Sequence, residues 1–160
     1  MRRSSEMSDD ARRPFKRVES SLAGGVSLLT TARSSARMSG VRQCDTAPER
    51  VVRRAARAAG LTLRRRNPDL PGSPDLANRA RKIAIFVHGC YWHRHAGCSK
   101  ATTPKSNRSF WVAKFSRNVE RDRTAVEALQ QLGFRVIVVW ECETRDEDAI
   151  VRRLELEAFS

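Results

Sequence analysis

Two segments of the chain are apolar almost residue by residue: Lys82-Ile83-Ala84-Ile85-Phe86-Val87 and Arg135-Val136-Ile137-Val138-Val139-Trp140. A strand that is apolar on both faces must be covered on both. These two segments therefore predict strands in the middle of a sheet with helices packed over it. Between them, Asn107 to Leu132 reads as a long helix ended by Gly133. An earlier helix is predicted from Thr46-Ala47-Pro48-Glu49, a capping box in which Thr46 caps, Pro48 sits in the first turn and Glu49 reaches back. It continues through Val51 to Ala56 and stops at Gly60. Leu61 to Arg66 alternates like a short strand, Asn67 to Pro74 is rich in turn residues, and a last helix runs from about Asp146 to the C-terminus. The fold class is α/β, a central mixed sheet flanked by helices.

A length of 160 residues predicts one domain of ordinary size, and 40% hydrophobic residues suffice for a real core. No apolar run approaches the ~20 residues of a membrane-spanning helix, so a soluble protein is expected. The net charge of +13 implies a polyanionic partner, most simply nucleic acid. Residues 1–37 stand apart: they are rich in Ser and Arg and carry eight basic against four acidic residues. They predict a disordered basic extension, with the functional domain over 38–160. A signal peptide fits poorly, because the apolar run is short and acids interrupt the head.

All three histidines and two of the four cysteines fall within His88-Gly89-Cys90-Tyr91-Trp92-His93-Arg94-His95-Ala96-Gly97-Cys98. A lone cysteine is ordinarily a small buried thiol. This density, in a loop too polar to pack by itself, points instead to a metal bound by four N and S ligands. Cys90, His95 and Cys98 supply three ligands from one loop. Cys142, just after the second apolar strand, is the natural fourth, and Cys44 is the less favoured alternative.

Asp75 follows Pro74 in a turn that feeds a strand. Metal-dependent nucleases use such a placement to hold a carboxylate for Mg²⁺, a hard ion that prefers oxygen ligands, although most Pro-Asp pairs are only turns. In the long helix, Phe115, Val119, Asp122, Val126 and Leu129 recur at steps of four and three, an apolar stripe with a carboxylate in it. A charge there needs a partner. Arg121, Arg135 and a loop histidine are the candidates, and His93 is the histidine left once His95 is given to the metal. Tyr91, Trp92 and Trp111 are aromatics beside basic residues, suited to stacking on bases, although Trp111 alone reads more simply as core. Lys114 and Asn118 lie one turn apart on the helix and could reach base edges, with Arg117 and Arg121 towards phosphates.

Together these residues resemble the very-short-patch mismatch repair endonucleases, the Vsr family. The resemblance is carried by Asp45-Thr46-Ala47-Pro48-Glu49, Leu70-Pro71-Gly72-Ser73-Pro74-Asp75, Ile85-Phe86-Val87-His88-Gly89-Cys90-Tyr91-Trp92-His93, Thr103-Pro104-Lys105, Asn118-Val119-Glu120-Arg121-Asp122-Arg123 and Val139-Trp140-Glu141-Cys142. It covers about Met38 to Thr144 and leaves Met1 to Arg37 without a counterpart. It implies a restriction-endonuclease-like core that nicks one DNA strand beside T:G mismatches left by deamination of 5-methylcytosine. On that resemblance Asp75 and the backbone carbonyl of Val87 would bind the catalytic Mg²⁺. His93 would activate the attacking water, oriented by Asp122, while His88 and Glu49 complete the surroundings of the metal's waters. Cys90, His95, Cys98 and Cys142 would hold structural Zn²⁺. Tyr91, Trp92 and Trp111 would wedge into the duplex, and Lys114 and Asn118 would contact the mismatched pair. The resemblance further implies double-stranded DNA and a MutL-type mismatch-repair protein as partners, a monomer, and a place in the bacterial cytoplasm.

Two positions depart from the family pattern: Tyr91 stands where Phe is common, and Gly97 lengthens the spacing from His95 to Cys98. The usual second carboxylate and lysine of this nuclease fold are replaced by Phe86-Val87-His88, which fits the family but counts against an ordinary restriction enzyme. Two alternatives remain at this point. One is a nuclease of the same fold with a restriction or mobile-element target; the other is a zinc-stabilised DNA-binding protein without catalysis.

Overall fold

The computed structural model describes residues 44–159, together with the backbone of two short strands, β1 (Lys16–Val18) and β2 (Leu28–Thr30). The chain divides into two compact units, Met1–Val41 and Arg42–Ser160. In the first, β1 and β2 pair antiparallel, with Lys16 opposite Thr30. The rest of the expected disordered extension, residues 1–37, lies outside the described residues.

The second unit runs α1 (Ala47–Ala58), β3 (Arg64–Arg65), β4 (Leu76–Asn78), β5 (Ile83–His88), α2 (Arg108–Gln131), β6 (Arg135–Trp140), a 3₁₀ turn (Glu143–Arg145) and α3 (Glu147–Phe159). Its sheet has the order β3-β4-β5-β6. β4 pairs antiparallel with both β3 and β5, whereas β5 and β6 are parallel, in register from Ile83–Arg135 to His88–Trp140. A parallel pair needs a crossover, and α2 is that crossover. The sheet is mixed and flanked by helices, as the apolar segments predict.

Strand alternation assigns each side chain of β5 and β6 to one of two cores. Ile83, Ile85, Ile137 and Val139 pack with Val52, Ala55 and Ala56 of α1 and with Ile150 and Leu154 of α3. Ala84 and Phe86 face the other way, with Ala125 and Leu129 of α2, Leu70 and Phe134. Ile85, Ile137, Leu129 and Leu154 are each at most 1% exposed. Each such burial is worth roughly 1.5–3 kcal/mol. By the same alternation His88 and Trp140, at the strand ends, fall on the face towards α2.

Three expectations change. β6 is not central: among the described residues it is the edge of its sheet, and it is apolar on both faces because helices cover both. The strand expected over Leu61 to Arg66 is reduced to Arg64–Arg65, since only those residues pair with β4. Val119 is 44% exposed, while Phe115, Ala125 and Leu129 are buried. The inward stripe of α2 therefore passes through Asp122 and Ala125, and Val119 lies off its side. The cap of α1 forms with a shift: Glu49 N–H donates to Thr46 Oγ1 at 3.4 Å, while the Glu49 carboxylate reaches one residue past the N-cap and accepts from Asp45 N–H at 2.8 Å.

Candidate active site and metal centre

Asp75 enters β4 beside the end of β5, where Val87 N–H donates to its Oδ2 at 2.7 Å. The turn before it is pinned by Asn67, 1% exposed, whose Nδ2 donates to the carbonyls of Arg64 at 3.1 Å and Pro74 at 3.0 Å. Gly72 lets this turn lie against α2: its φ is +69°, and a Cβ there would overlap the Ala125 methyl. Burial pushes the Asp75 carboxyl up to about 6, with the nearby Glu49 charge acting in the same direction; the Val87 hydrogen bond and His93 oppose them. Glu49, at the start of α1, and His93, in the loop after β5, thus both act on Asp75.

His93 Nδ1 bonds Asp122 Oδ2. A carboxylate only accepts, so Nδ1 carries the proton of the neutral ring and Nε2 is left with its lone pair. Burial works to raise the Asp122 carboxyl, but the bond to His93 and the charges of neighbouring groups outweigh it and hold it below the usual range. Of its other candidate partners, Arg121 reaches Oδ1 at 3.4 Å, whereas Arg135 donates to the Glu157 carbonyl instead. His88, 7% exposed, lies flat on His93 with ring centroids 4.0 Å apart. Burial, then the facing His93, lowers its pKa to about 4, so it is neutral at neutral pH.

The loop after β5 turns back on itself through His93 N–H to Gly89 O, His95 N–H to Cys90 O and Cys98 N–H to His95 O, at 3.1, 3.1 and 3.2 Å. Gly97, at φ +71°, takes a left-handed turn, so the extra residue does not carry Cys98 away. One ligand atom from each of Cys90, His95, Cys98 and Cys142 lies within 4.8 Å of every other. His95 presents Nδ1, which is 3.3 Å from Cys142 Sγ and 3.7 Å from Cys90 Sγ. Three thiols and one imidazole suit a tetrahedral metal of intermediate softness, and this group can hold a metal ion. Burial pushes the Cys90 thiol up to about 11, an arrangement costly for a thiolate without a cation. The Lys100 backbone N–H, first among several hydrogen bonds, lowers Cys98. Lys100 Nζ also donates to Glu141 Oε1 at 2.7 Å, tying the loop to the residue after β6. Cys44 is exposed and stands outside this group.

Tyr91 and Trp92 meet edge to face at 4.9 Å, and Trp111, near the start of α2, lies 6.2 Å from each. Lys114 Nζ sits 5.2 Å from the Trp92 ring and 5.4 Å from that of Trp111, within cation–π range. Asn118 turns inward, its Nδ2 donating to the Trp92 carbonyl at 3.2 Å. Arg94 stacks over Phe115 and donates to the Thr102 carbonyl at 2.8 Å, which fastens the following segment across α2.

A family model described as DNA mismatch endonuclease Vsr matches residues 26–100. The chain is 38% identical to the DNA mismatch endonuclease Vsr of Escherichia coli, over 78% of this chain and 82% of that protein. It is 42% identical to the type II nicking enzyme V.XorIIP of Xanthomonas oryzae pv. oryzae, over 73% of this chain and 85% of the relative. For V.NmeAIP of Neisseria meningitidis the identity is 37%, over 79% and 90%.

The chain belongs to the Vsr family.

As a Vsr-family protein it is a DNA endonuclease with a restriction-endonuclease-like core, which removes the alternative of a DNA-binding protein without catalysis. The Vsr match begins at residue 26, ahead of the boundary expected at 38. Among the described residues no helix is long and apolar enough to cross a membrane. Two features of this Vsr site escaped sequence reading. Asn67 looked like one more turn residue, and the placement of Trp140 against two imidazoles depends on strand pairing that no local pattern announces.

Proposed function

We propose that this chain is a Mg²⁺-dependent, strand-specific endonuclease that nicks DNA beside T:G mismatches arising from 5-methylcytosine deamination, with Zn²⁺ in its Cys/His group. The observation that carries this reading is the convergence, at the ends of β4 and β5, of the half-buried Asp75 carboxylate with the His93–Asp122 pair. Pure DNA binding requires none of the three. The relatives, a mismatch endonuclease and two nicking enzymes, support the same reading.

Asp75 offers oxygen, the donor Mg²⁺ prefers. In a strand the N–H and C=O of one residue leave by the same edge, so the Val87 carbonyl faces the side on which its N–H meets Asp75. Asp75 and that carbonyl would hold Mg²⁺, which would supply charge neutralisation at phosphorus and at the leaving oxygen. His93 Nε2 would take the proton of the attacking water, with Asp122 stabilising the imidazolium that results. His88 and Glu49 would hydrogen-bond the surrounding waters. The three thiols and His95 would bind Zn²⁺ and fix the loop bearing His93.

Tyr91, Trp92 and Trp111 would insert into the duplex, and Lys114 and Asn118 would meet the mismatched pair, Asn118 by giving up the Trp92 carbonyl. A T:G wobble is easier to unstack than a matched pair, so insertion there costs less and favours that target. Residues 1–37 would add only diffuse, salt-sensitive attraction to phosphates.

The test is a cleavage assay over duplexes with T:G, other mismatches or none, with and without Mg²⁺. One-strand cleavage confined to T:G and requiring Mg²⁺ is the expected result. Equal cutting of matched DNA would refute the mismatch target and favour a nuclease with a restriction or mobile-element role.

A further inference from the structure

The Val139-Trp140-Glu141-Cys142 segment contributes a metal-ligand candidate in Cys142, and Trp140 beside it has no part in the proposed chemistry. Its position is unusual. Trp140 is the register partner of His88 across the parallel pair, and Glu141 N–H donates to His88 O at 2.9 Å just beyond it. The indole therefore emerges beside the His88 ring, which it meets at 5.4 Å and 71°. It also lies flat against His95, with centroids 4.3 Å apart and planes 7° from parallel. His88 in turn lies flat on His93 at 4.0 Å and 9°. His95, Trp140, His88, His93 and Asp122 form one contiguous series running from the Cys/His group to the carboxylate on α2.

We propose that Trp140 is a positioning residue: its indole, packed between His95 and His88, transmits the placement of the metal-holding loop to the His93 imidazole. His93 and His95 leave the same loop, and backbone turns alone would leave each ring free to rotate about χ1 and χ2. Ring contact along the series, flat at His95–Trp140 and at His88–His93 and edge-on at Trp140–His88, removes that freedom. The bond from His93 to Asp122 then fixes the last angle. Proton abstraction depends on the direction of the Nε2 lone pair, so a ring free to swing would lower turnover without weakening DNA binding. This inference rests on the proposed role of His93 as the group that takes the proton.

Trp140→Met and Trp140→Phe test it with the metal-loaded protein. Methionine fills volume without a planar face, whereas phenylalanine keeps one. In the Met variant kcat for nicking is expected to fall by about tenfold or more with KM within about twofold and metal content unchanged; the Phe variant should recover most of the loss. Histidine ring nitrogen NMR gives a readout independent of activity: the His93 signals should shift or broaden in the Met variant and return in the Phe variant. The proposal is overturned if the Met variant keeps wild-type kcat and His93 signals, if both variants lose activity equally, or if the loss tracks release of metal. A His93 ring that moves without any change in nicking would instead refute the role of His93 as the proton acceptor, and wild-type protein inactive on T:G duplexes would refute the proposed target.

Discussion

The N–H of Val87 donates to Oδ2 of Asp75 at 2.7 Å, so a carboxylate just outside β4 is oriented by the backbone of β5. That orientation comes with a burial cost. Burial pushes the carboxyl up to about 6, well above the usual carboxylate range near 4. The folded state therefore holds the proton more tightly than the unfolded one. Stability falls as pH rises from about 4 to about 6, and the cost is fully present above that. Asp75→Asn is expected to abolish nicking yet raise Tm near pH 7 without added Mg²⁺, by an amount corresponding to at most about 3 kcal/mol. The gain should vanish below about pH 4. A lower Tm for the variant near pH 7 would show that the ionised carboxylate stabilises the fold.

Asp122→Asn keeps the shape of the contact with His93 but can present an NH₂ to Nδ1, moving the ring proton to Nε2. Single-turnover nicking is expected to fall roughly 10²–10⁴-fold. DNA affinity should stay near that of the unmodified chain. His93→Ala should be at least as damaging. Wild-type turnover in either variant would exclude the pair from proton transfer.

Elemental analysis of the purified protein is expected to find one zinc per chain. Cys98→Ser should lose it, with a fall in Tm that an unmodified chain shows only after treatment with a strong chelator. A protein free of zinc at full activity would remove this assignment.

Trp111→Ala is expected to cost about 1–3 kcal/mol of binding to a T:G duplex, with less effect on matched DNA. Arg117→Ala, at a position expected to face phosphates, should instead weaken binding to both and reduce the salt slope by about one. Titrations at several salt concentrations separate the two. Equal losses on T:G and matched DNA from Trp111→Ala would argue against insertion at the mismatch.

Deleting residues 1–37 is expected to leave nicking of a T:G duplex at the level of the full chain, with binding weaker only at low salt. Deleting residues 1–25 alone isolates the part ahead of the family match. A large loss of activity from either deletion would give the N-terminal segment a specific contact with DNA.

Much of the fold could be read along the chain because its signals are local. The cap at Thr46, the span of α2 and the limits of β6 all follow from neighbouring residues. So did the grouping of Cys90, His95 and Cys98, since one loop carries them. What resisted reading depends on pairing between distant segments. Whether β6 is central or at the edge depends on which strands accept its backbone. The exposure of Val119 depends on how α2 is rotated about its axis, and steps of three and four tolerate either rotation. Asn118 carries no mark of its inward bond to Trp92, because an amide on a polar stripe looks the same whether it meets water or a carbonyl.

Cys90, His95 and Cys98 precede α2 in the chain and Cys142 follows it, with His95 and Cys142 separated by 47 residues. An ion bound by all four would act as a reversible crosslink closing a loop that contains the whole helix with Asp122. In the unfolded chain, closing a loop of that length removes on the order of 3–4 kcal/mol of conformational freedom. Metal supply would then tune how long the nuclease survives in the cell, as well as how it cuts.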